Sequence, residues 1–532
     1  MAFGDLLEQV GATGRFQVLH VTFLCLPMFM MASQNLLQNF VAAVPPHYCS
    51  EHRNLSQSQL SPEEALLITV PLDKSGKPER CQRYIAPQWH LLAKNRTSNP
   101  EEEENTDSGF DVDLQGCTDG WSYNMTEMTS TIISDVGVYT SFSKLSNQPF
   151  TCVLVGSIVF GSLADRYGRR ILVLISNLVM AIGGTCAAFS TSFSLFCLFR
   201  FVCGMALSGS GLNSLSLILE WIPTRVRTVV GTGTGYCYTI GQLILAAIAY
   251  FTRDWRRLTL AVSLPFYVSF LYSWWFLESA RWLVLKNKSE QALKNLKSVA
   301  RINGRSEEGN KIDLEESMKK ELSCSQGSYS MLDLFRTPTM RTMTICLSAV
   351  WLSTSFAYYG LAMDLQKFGV DIYLIQVIFG AVDIPAKVVI TLSMCFAGRR
   401  PSQCAALIMA GVAILLNLVV PYEKQTARTC LAVVGKGCLA ASFSCCYLYA
   451  GELFPTVIRQ SGMGWVSMMA RIGAMVAPMV LLLDDYIPWL PGLIYGGAPI
   501  LSGVAAIFLP ETLGVPLPDT IQDHLWNLMN NL

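Results

Sequence analysis

The sequence predicts an all-α membrane protein with twelve transmembrane helices in two six-helix repeats. The composition is the first reason, because 51% of the 532 residues are hydrophobic and only 15% are charged, whereas soluble domains carry about 25% charged residues. A series of apolar stretches and an internal repeat are the other two reasons. Lysine plus arginine equals aspartate plus glutamate, at 39 each, so no net field attracts nucleic acid and none is expected as a partner.

The apolar stretches are each close to the roughly 20 residues that a helix needs to cross a bilayer. In hydrocarbon such a stretch must be helical, because the helix satisfies its own backbone polar groups. We therefore expect a multi-pass protein in a lipid bilayer. The twelve predicted spans, numbered in chain order, lie near residues 16–44, 143–163, 171–191, 195–219, 228–251, 258–277, 340–362, 371–397, 403–421, 427–450, 460–483 and 489–509.

The first long polar connection, residues 45–142, contains three acceptors for N-linked glycosylation. They are Asn54, Asn95 and Asn124, each in an Asn-x-Ser/Thr sequence. Three acceptors in one loop indicate a large glycosylated extracellular loop.

The second long connection, residues 279–338, is rich in Lys, Arg and Glu. We expect it to be a cytosolic linker with short helices between an N-terminal half, 1–278, and a C-terminal half, 339–532. Most arginines in the short loops follow the even-numbered spans, and the positive-inside rule places those loops and both termini in the cytosol. Arg253, Arg256 and Arg257 follow the fifth span and are an exception. The expected location is the plasma membrane.

Three motifs of the first half recur about 230 residues later, each after the corresponding even-numbered span. Two like halves with a site between them at mid-membrane are a common design of secondary transporters. The motifs and their repeats are Gly168-Arg169-Arg170 with Gly398-Arg399-Arg400, Glu220-Trp-Ile-Pro-Thr-Arg-Val-Arg227 with Glu452-Leu-Phe-Pro-Thr-Val-Ile-Arg459, and Glu278-Ser279 with Glu511-Thr512.

The segment Gly161-Ser-Leu-Ala-Asp165-Arg166-Tyr-Gly168-Arg169-Arg170 resembles the loop between spans 2 and 3 of the major facilitator superfamily. The resemblance implies charge pairs at the cytosolic helix ends that lock one conformation until the halves rock. Plain orientation signals are the alternative, which explains the arginines but not Asp165 or the glycines. The candidate gating residues are Asp165, Arg166, Arg169, Arg170, Glu220, Arg227, Glu452 and Arg459.

Further segments resemble the organic anion transporter branch of solute carrier family 22. The similarity covers nearly the whole chain apart from about residues 134–152. It implies a carrier of small organic anions that exchanges them against an intracellular dicarboxylate such as 2-oxoglutarate. The segments are Met1-Ala-Phe-Gly-Asp-Leu-Leu-Glu-Gln-Val-Gly11, Glu278-Ser-Ala-Arg-Trp282, Phe356-Ala-Tyr-Tyr-Gly-Leu361, Gly435-Lys-Gly-Cys-Leu439 and Pro516-Leu-Pro-Asp-Thr-Ile-Gln-Asp523.

Beyond the first two residues of each predicted span, the charged residues are mostly cationic. They are Arg200, Lys387, Lys436, Arg471 and one acid, Asp383. A charge inside a span costs roughly 2.5–3.5 kcal/mol on insertion scales. An excess of three positive charges is explained directly by a water-filled cavity that receives an anion.

Neither Lys387 nor Arg471 has a charged counterpart in the N-terminal repeat, where the equivalent windows are residues 154–157 and 238–241. This asymmetry favours substrate binding over a role in folding. Arg471 is the strongest candidate, because it has no acid three or four residues away and a guanidinium can hold a carboxylate through two parallel hydrogen bonds.

The other cations also have structural interpretations. Lys387 lies four residues from Asp383 on the same helix and could simply pair with it. Arg200, near the outer end of its span, could brace a neighbouring helix. Lys436 is flanked by two glycines and could serve helix packing.

Aromatic side chains at helical spacing can face the same cavity, although packing is the alternative for such stripes. Trp351, Tyr358 and Tyr359 share one face of span 7, and Phe443 and Tyr447 are four residues apart in span 10. The family resemblance implies that the two tyrosines of span 7, the aromatics of span 10 and a tyrosine of span 5 line the cavity, together with the lysine of span 8 and the arginine of span 11. The candidate substrate-binding residues are Arg471, Lys387, Tyr358, Tyr359, Trp351, Phe443, Tyr447, Tyr236, Asn35, Met31, Ser467, Asp383 and Lys436.

The predicted function is polyspecific, alternating-access uptake of amphipathic carboxylates and sulfates. An enzyme is not expected, because the chain has no His-Glu-x-x-His, Gly-x-x-x-x-Gly-Lys-Ser/Thr or Gly-x-Ser-x-Gly sequence. No cofactor or metal is expected either. The alternatives are a carrier of organic cations or zwitterions, which in this family tends to have an acid at the position of Arg471, and a transport-inactive anion sensor or scaffold.

The cysteines and the start of span 2 leave two questions open. Among seventeen cysteines only Cys49, Cys81 and Cys117 lie in the long loop, so at most one pair can form within it. The segment 134–152 lacks the Trp-Asp-Leu-Val-Cys sequence of the family. Pro149 lies at its end, and only about 14 apolar-leaning residues follow before the gating loop.

Overall fold

The structure is a computed structural model that divides into two compact units, which are Met1–Phe40 with Ser143–Thr252 and Arg256–Leu532, and Val41–Phe142 with Arg253–Trp255. The glycosylation acceptors Asn54, Asn95 and Asn124 and the loop cysteine Cys81 lie outside the described residues. The structure describes residues 7, 10–11, 13–41, 47–50, 61–72, 78–79, 82–89, 91–92, 113–118, 120–123, 129–136, 142–223, 226–307, 332–366, 372–421, 424–481, 483, 486–487, 489–515 and 517–518.

The larger unit is helical, and its long helices follow the twelve predicted spans. Ten helices of the described chain are individually long and apolar enough to cross a membrane; the remaining two spans are the second and the sixth. The helices are α1 (Arg15–Leu36), α2 (Phe142–Tyr167), α3 (Arg169–Ala188), α4 (Phe193–Trp221), α5 (Arg227–Phe251), α6a (Trp255–Ser263), α6b (Pro265–Ser273), α7 (Pro338–Gln366), α8 (Ile372–Phe396), α9 (Arg399–Val419), α10 (Gln425–Leu453), α11 (Arg459–Leu481) and α12 (Leu490–Ala505).

Proline has different effects in these two spans. Helix α2 runs unbroken for 26 residues and includes Pro149, so the short apolar run after this proline does not prevent a helix. The sixth span is divided into two nine-residue helices at Leu264. Pro265 begins the second of them, and it has no amide hydrogen with which to continue the preceding helix.

The two halves of the larger unit meet along two seams. Helix α5 packs against α8 in one seam. In the other, α2 approaches α11 so closely that a Cβ atom on Gly161 would lie 2.7 Å from the Gln460 carbonyl oxygen, and one on Gly464 would lie 2.4 Å from that of Ser157. Only glycine allows helix backbones to come this close.

The linker between the halves contains short helices at Ala280–Leu285, Ser289–Ile302 and Asp333–Arg336. Asn303, which follows the second, accepts a hydrogen bond from the Phe16 N–H at 2.9 Å and donates one to the Val10 carbonyl at 3.0 Å. This side chain therefore ties the linker to the start of α1.

The smaller unit contains two short antiparallel ladders. Strand β1 (His47–Cys49) pairs with β4 (Trp121–Tyr123), and β2 (Gln82–Tyr84) pairs with β3 (Leu114–Gly116). A disulfide joins Cys49 to Cys117, which answers the pairing question that spacing left open. The unit also has helices at Pro62–Thr69 and Ile132–Val136.

Candidate functional site

A cavity of about 240 Å³ lies between the two halves and is lined by residues of α1, α2, α4, α5, α7, α8, α10 and α11. Most of the predicted substrate-site residues lie on its wall, so helices far apart in sequence converge as the helical spacing predicts. The predicted residues that line the cavity are Met31, Asn35, Tyr358, Tyr359, Asp383, Lys387, Phe443, Tyr447, Ser467 and Arg471.

Three predicted residues lie behind the wall rather than on it. Trp351 is 1% exposed, and its ring packs edge-on against Tyr447 with 4.5 Å between the centroids. The Tyr236 hydroxyl lies in the α5–α8 seam, 3.4 Å from the Thr391 hydroxyl. Lys436 is turned towards an acidic partner. Helical spacing identifies a face but not which edge of that face reaches the cavity.

Arg471 on α11 is a half-buried cation that lines the cavity. Its electrostatic neighbours are Tyr359, Tyr447 and Tyr238, and it is hydrogen-bonded to Tyr359. Its Nε atom has no hydrogen-bond partner among the residues that the structure describes. Because Arg471 lines the cavity, its guanidinium borders the space that an anionic oxygen would enter.

Asp383 forms its ion pair with Lys436 of α10 rather than with Lys387, the alternative partner that their spacing allowed. The Lys436 Nζ atom lies 3.1 Å from Asp383 Oδ1, and the two side chains are 1% and 6% exposed. The ammonium also lies 4.3 Å from the centroid of the Phe379 ring. Lys387 instead reaches α5, where it donates to the Gly235 carbonyl at 2.8 Å and to the Thr239 hydroxyl.

Arg200 braces a neighbouring helix, as its structural interpretation proposed. Its guanidinium donates to the side-chain oxygen of Gln34 at 2.7 Å and to the backbone carbonyl of the same residue at 3.0 Å. These bonds join α4 to α1, and they leave three of the predicted cations near the cavity.

The cavity also has polar wall residues that the sequence analysis missed, including Tyr238 and Gln242 of α5. The Tyr238 hydroxyl accepts a hydrogen bond of 2.7 Å from the Asn35 side chain. Tyr238 lies in the window that the repeat makes equivalent to Arg471. The repeat therefore marks Tyr238 as a candidate wall residue, although its side chain is uncharged.

The repeated motifs meet at one end of the helix bundle, here called the motif end. There Arg459 Nη1 lies 2.9 Å from Glu220 Oε1, and Arg169 Nη2 lies 3.5 Å from the same oxygen. Asp165 accepts hydrogen bonds of 2.8 Å from both the backbone N–H and the hydroxyl of Ser461. The contacts of Glu220 with Arg459 and of Asp165 with Ser461 join the N-terminal half to the C-terminal half.

The repeat provides a second, equivalent set of contacts. Arg399 Nε lies 3.0 Å from Glu452 Oε2, and Arg227 Nη1 lies 3.8 Å from Glu452 Oε1. The Arg399 guanidinium also donates to the Thr228 hydroxyl across the halves at 2.6 Å.

Two of the candidate gating residues make other contacts. Arg166 is exposed, with its guanidinium 5.4 Å from the centroid of the Tyr167 ring. Arg170 donates to the Trp274 carbonyl at 2.6 Å, within its own half. The charge pairs between the halves use Glu220, Arg227, Glu452 and Arg459. Asp165 and Arg169 reach the other half through hydrogen bonds, to Ser461 and to the Thr456 carbonyl at 3.0 Å.

Glycine explains why Gly-Arg-Arg and a distant glutamate recur together. Glu278 accepts hydrogen bonds from the N–H groups of Arg169 and Arg170 at 3.1 and 3.0 Å. Gly168 has φ 104°, and a Cβ atom there would lie 2.4 Å from Glu278 Oε2. Burial raises the pKa of the Glu278 carboxyl, although Arg169 and the backbone N–H groups oppose this.

Within the described ranges, no group of three or more His, Cys, Asp and Glu side chains is arranged to hold a metal ion. The arrangement can therefore be described by its own side chains. Two cations and five aromatic residues line a cavity between two halves, and the halves are joined by charge pairs at one end.

Comparisons with known proteins place the chain in a family. A family model described as "Sugar (and other) transporter" matches residues 139–523. Solute carrier family 22 member 6 of Pseudopleuronectes americanus is 73% identical over 530 residues, which cover 98% of this chain and 94% of that protein. Organic anion transporter 3 of Homo sapiens is 45% identical over 536 residues, which cover 99% and 94%.

Solved structures show the same fold. The proton:xylose symporter XylE, bound to 6-bromo-6-deoxy-D-glucose, aligns with a TM-score of 0.62 at 18% identity, over 74% of this chain and 93% of its own. This match confirms the predicted fold class. The chain is thus a multi-pass membrane protein rather than an enzyme, and it belongs to the organic anion transporter branch of solute carrier family 22, within the major facilitator superfamily.

Proposed function

We propose that this protein is a polyspecific carrier that moves amphipathic organic carboxylates and sulfates across the plasma membrane by alternating access. The observation that carries the proposal is the environment of Arg471, whose Nε atom is buried without a hydrogen-bond partner in the described structure. A buried charge is costly unless it is compensated. The carboxylate or sulfate of a substrate in the cavity compensates it.

The rest of the wall suits the apolar body of such a substrate. Tyr358, Tyr359, Phe443 and Tyr447 present aromatic faces and edges to the cavity. Stacking on these rings tolerates many ring systems, because it depends on area more than on directional hydrogen bonds. The relatives named as organic anion transporters support the same substrate class.

The motif end is proposed to be the cytosolic gate, with both termini on that side. Its charge pairs hold the halves together while the cavity is loaded, and they separate when the halves rock. We further propose that inward flux is driven by exchange with an intracellular dicarboxylate such as 2-oxoglutarate. The proposal is supported by the sequence, which has no phosphate-binding loop for ATP.

Uptake of a labelled aryl carboxylate by expressing cells tests the anion site. Arg471→Ala and Arg471→Asp are expected to reduce uptake at least tenfold at equal surface expression, because one lost charge-assisted contact is worth about 1.5–3 kcal/mol. Arg471→Lys keeps the charge and is the matched control, for which partial activity is expected. Undiminished uptake in both neutral and acidic variants would contradict the site, and binding without uptake would indicate a sensor.

Preloading tests the exchange. Cells that have been loaded with 2-oxoglutarate should take up the aryl carboxylate faster than unloaded cells. Equal rates in the two populations would leave the anion site intact and remove the dicarboxylate exchange.

A further inference from the structure

Lys387 links the two halves inside the cavity. It belongs to α8 of the C-terminal half, and its ammonium donates to the Gly235 carbonyl at 2.8 Å and to the Thr239 hydroxyl, both on α5 of the N-terminal half. Lys387 is 6% exposed and Thr239 is fully buried. Lys387 also lines the cavity. The same ammonium is therefore next to the substrate space and bonded across the seam.

The second seam has a neutral contact at the equivalent place. The repeat makes Lys387 of α8 equivalent to Ser157 of α2, and Gly235 of α5 equivalent to Ser467 of α11. The hydroxyls of Ser157 and Ser467 lie 3.2 Å apart. Of these two equivalent contacts between the halves, the one in the α5–α8 seam carries a charge and the one in the α2–α11 seam is neutral.

A charged contact in this position resists separation more than a neutral one. Hydrogen bonds from an ammonium are roughly twice as strong as those between neutral groups. If α5 and α8 move apart, the ammonium loses both acceptors and is left buried without compensation, which is costly. An anion in the cavity can replace the lost acceptors. An ammonium has three N–H donors, so it can bond to the anion before it releases the Gly235 carbonyl and the Thr239 hydroxyl.

We propose that Gly235 and Thr239 position Lys387 as a latch between the halves, which holds the empty carrier in place and is released when an anion takes over the ammonium. This inference rests on the proposed transport function and deepens it. Thr239 is a positioning residue that acts through Lys387. Because of the latch, the carrier reorients only when an anion occupies the cavity. The carrier therefore exchanges anions rather than catalysing net flux.

The test compares efflux with and without external substrate. Cells are preloaded with labelled aryl carboxylate, and efflux is measured into buffer alone and into buffer containing the unlabelled compound. Thr239→Val removes the hydroxyl acceptor and keeps the shape. Thr391→Val is the matched control, because Thr391 lies in the same seam but is not an acceptor of the ammonium. Its hydroxyl donates to the Lys387 backbone carbonyl at 2.6 Å and lies 3.4 Å from the Tyr236 hydroxyl.

The wild type and Thr391→Val are expected to show much faster efflux when external substrate is present. In Thr239→Val the ratio of the two rates should fall about tenfold, which corresponds to roughly 1.4 kcal/mol, because the ammonium loses one of its two acceptors across the seam. The fall should come from faster efflux into plain buffer. Thr239→Ser, which keeps a hydroxyl, should return the ratio towards the wild-type value.

A wild-type ratio in Thr239→Val, or an equal fall in Thr391→Val, would overturn the latch. If the valine variant does not reach the cell surface, Thr239→Ala makes the same comparison with a smaller side chain. Failure of the two proposals can be told apart. A wild-type protein without any aryl carboxylate flux refutes the transport function and the latch with it, whereas normal exchange with an unchanged ratio refutes the latch alone.

Discussion

Arg459 and Glu220, from opposite halves, form a fully buried ion pair with 2.9 Å between Nη1 and Oε1. The equivalent pair in the repeat, Arg227 with Glu452, is longer at 3.8 Å. The motif end is thus held by one tight and one loose pair, so the pseudo-symmetry of the sequence is not matched by equal contacts.

Removing the acid of the tight pair should destabilise the closed motif end. Glu220→Gln leaves Arg459 without its ionised partner in a buried site, and breaking such a pair from one side costs about 3–5 kcal/mol. Thermal unfolding of the purified protein should show a lower midpoint. Arg166→Gln, at an exposed arginine outside the contacts between the halves, is the control and should leave the midpoint within a degree or two. Equal midpoints for both variants would count against the pair.

Lys436 should act on stability rather than on substrate affinity. Lys436→Met strands the Asp383 carboxylate, whose pairing distance is 3.1 Å, and should lower the unfolding midpoint. The double variant Asp383→Asn with Lys436→Met should recover much of the loss, because no lone charge remains. The measurements are the midpoint and the KM for the aryl carboxylate. A large rise of KM without a change of midpoint would restore Lys436 to the substrate site.

Alanine variants of Trp351 and Phe443 should distinguish a residue that packs the protein from one that contacts the substrate. Trp351 is 1% exposed and packs behind Tyr447, so Trp351→Ala should cost about 3–5 kcal/mol of stability. Phe443 lines the cavity, so Phe443→Ala should raise KM several-fold with a smaller loss of stability. Uptake kinetics and thermal unfolding measure the two effects, and the reverse pattern would show that the assignment of wall and packing layer is wrong.

Gly168→Ala should be more damaging than the same change at another glycine with positive φ. At Gly168 a Cβ atom would meet the Glu278 carboxylate at 2.4 Å, whereas at Gly304, with φ 77°, it meets nothing within 4 Å. Gly304→Ala therefore reports backbone strain alone, about 1–2 kcal/mol. The unfolding midpoint of Gly168→Ala should be the lower of the two. Equal losses would mean that the glycine serves the turn and not the carboxylate.

Several features could be predicted because they are local or periodic along the chain. Hydropathy located the spans, and the offset of about 230 residues revealed the duplication. The convergence of Arg471, Lys387 and the span 7 tyrosines on one cavity followed from helical spacing and the family resemblance. The division of the sixth span was not predicted, because Pro27, Pro385 and Pro478 lie inside unbroken helices and a proline alone does not mark a break.

Partners in space were not accessible in the same way. The spacing of Asp383 and Lys387 suggested a pair on one helix, but Lys436 of α10 takes the carboxylate and Lys387 crosses to α5. A buried charge pairs with whichever group the packing brings into range, and sequence distance carries no information about groups on other helices. Trp351 was misplaced for a related reason, since a small rotation of α7 decides whether its ring reaches the cavity.

The chain alone determined twelve helices, their division into halves and the positive character of the membrane interior, because burying apolar surface and satisfying backbone groups act residue by residue. The fold decided which cation is left with an open donor and which is latched across the halves. That choice depends on distances of a few ångströms between helices, and only the packed arrangement of both halves sets them.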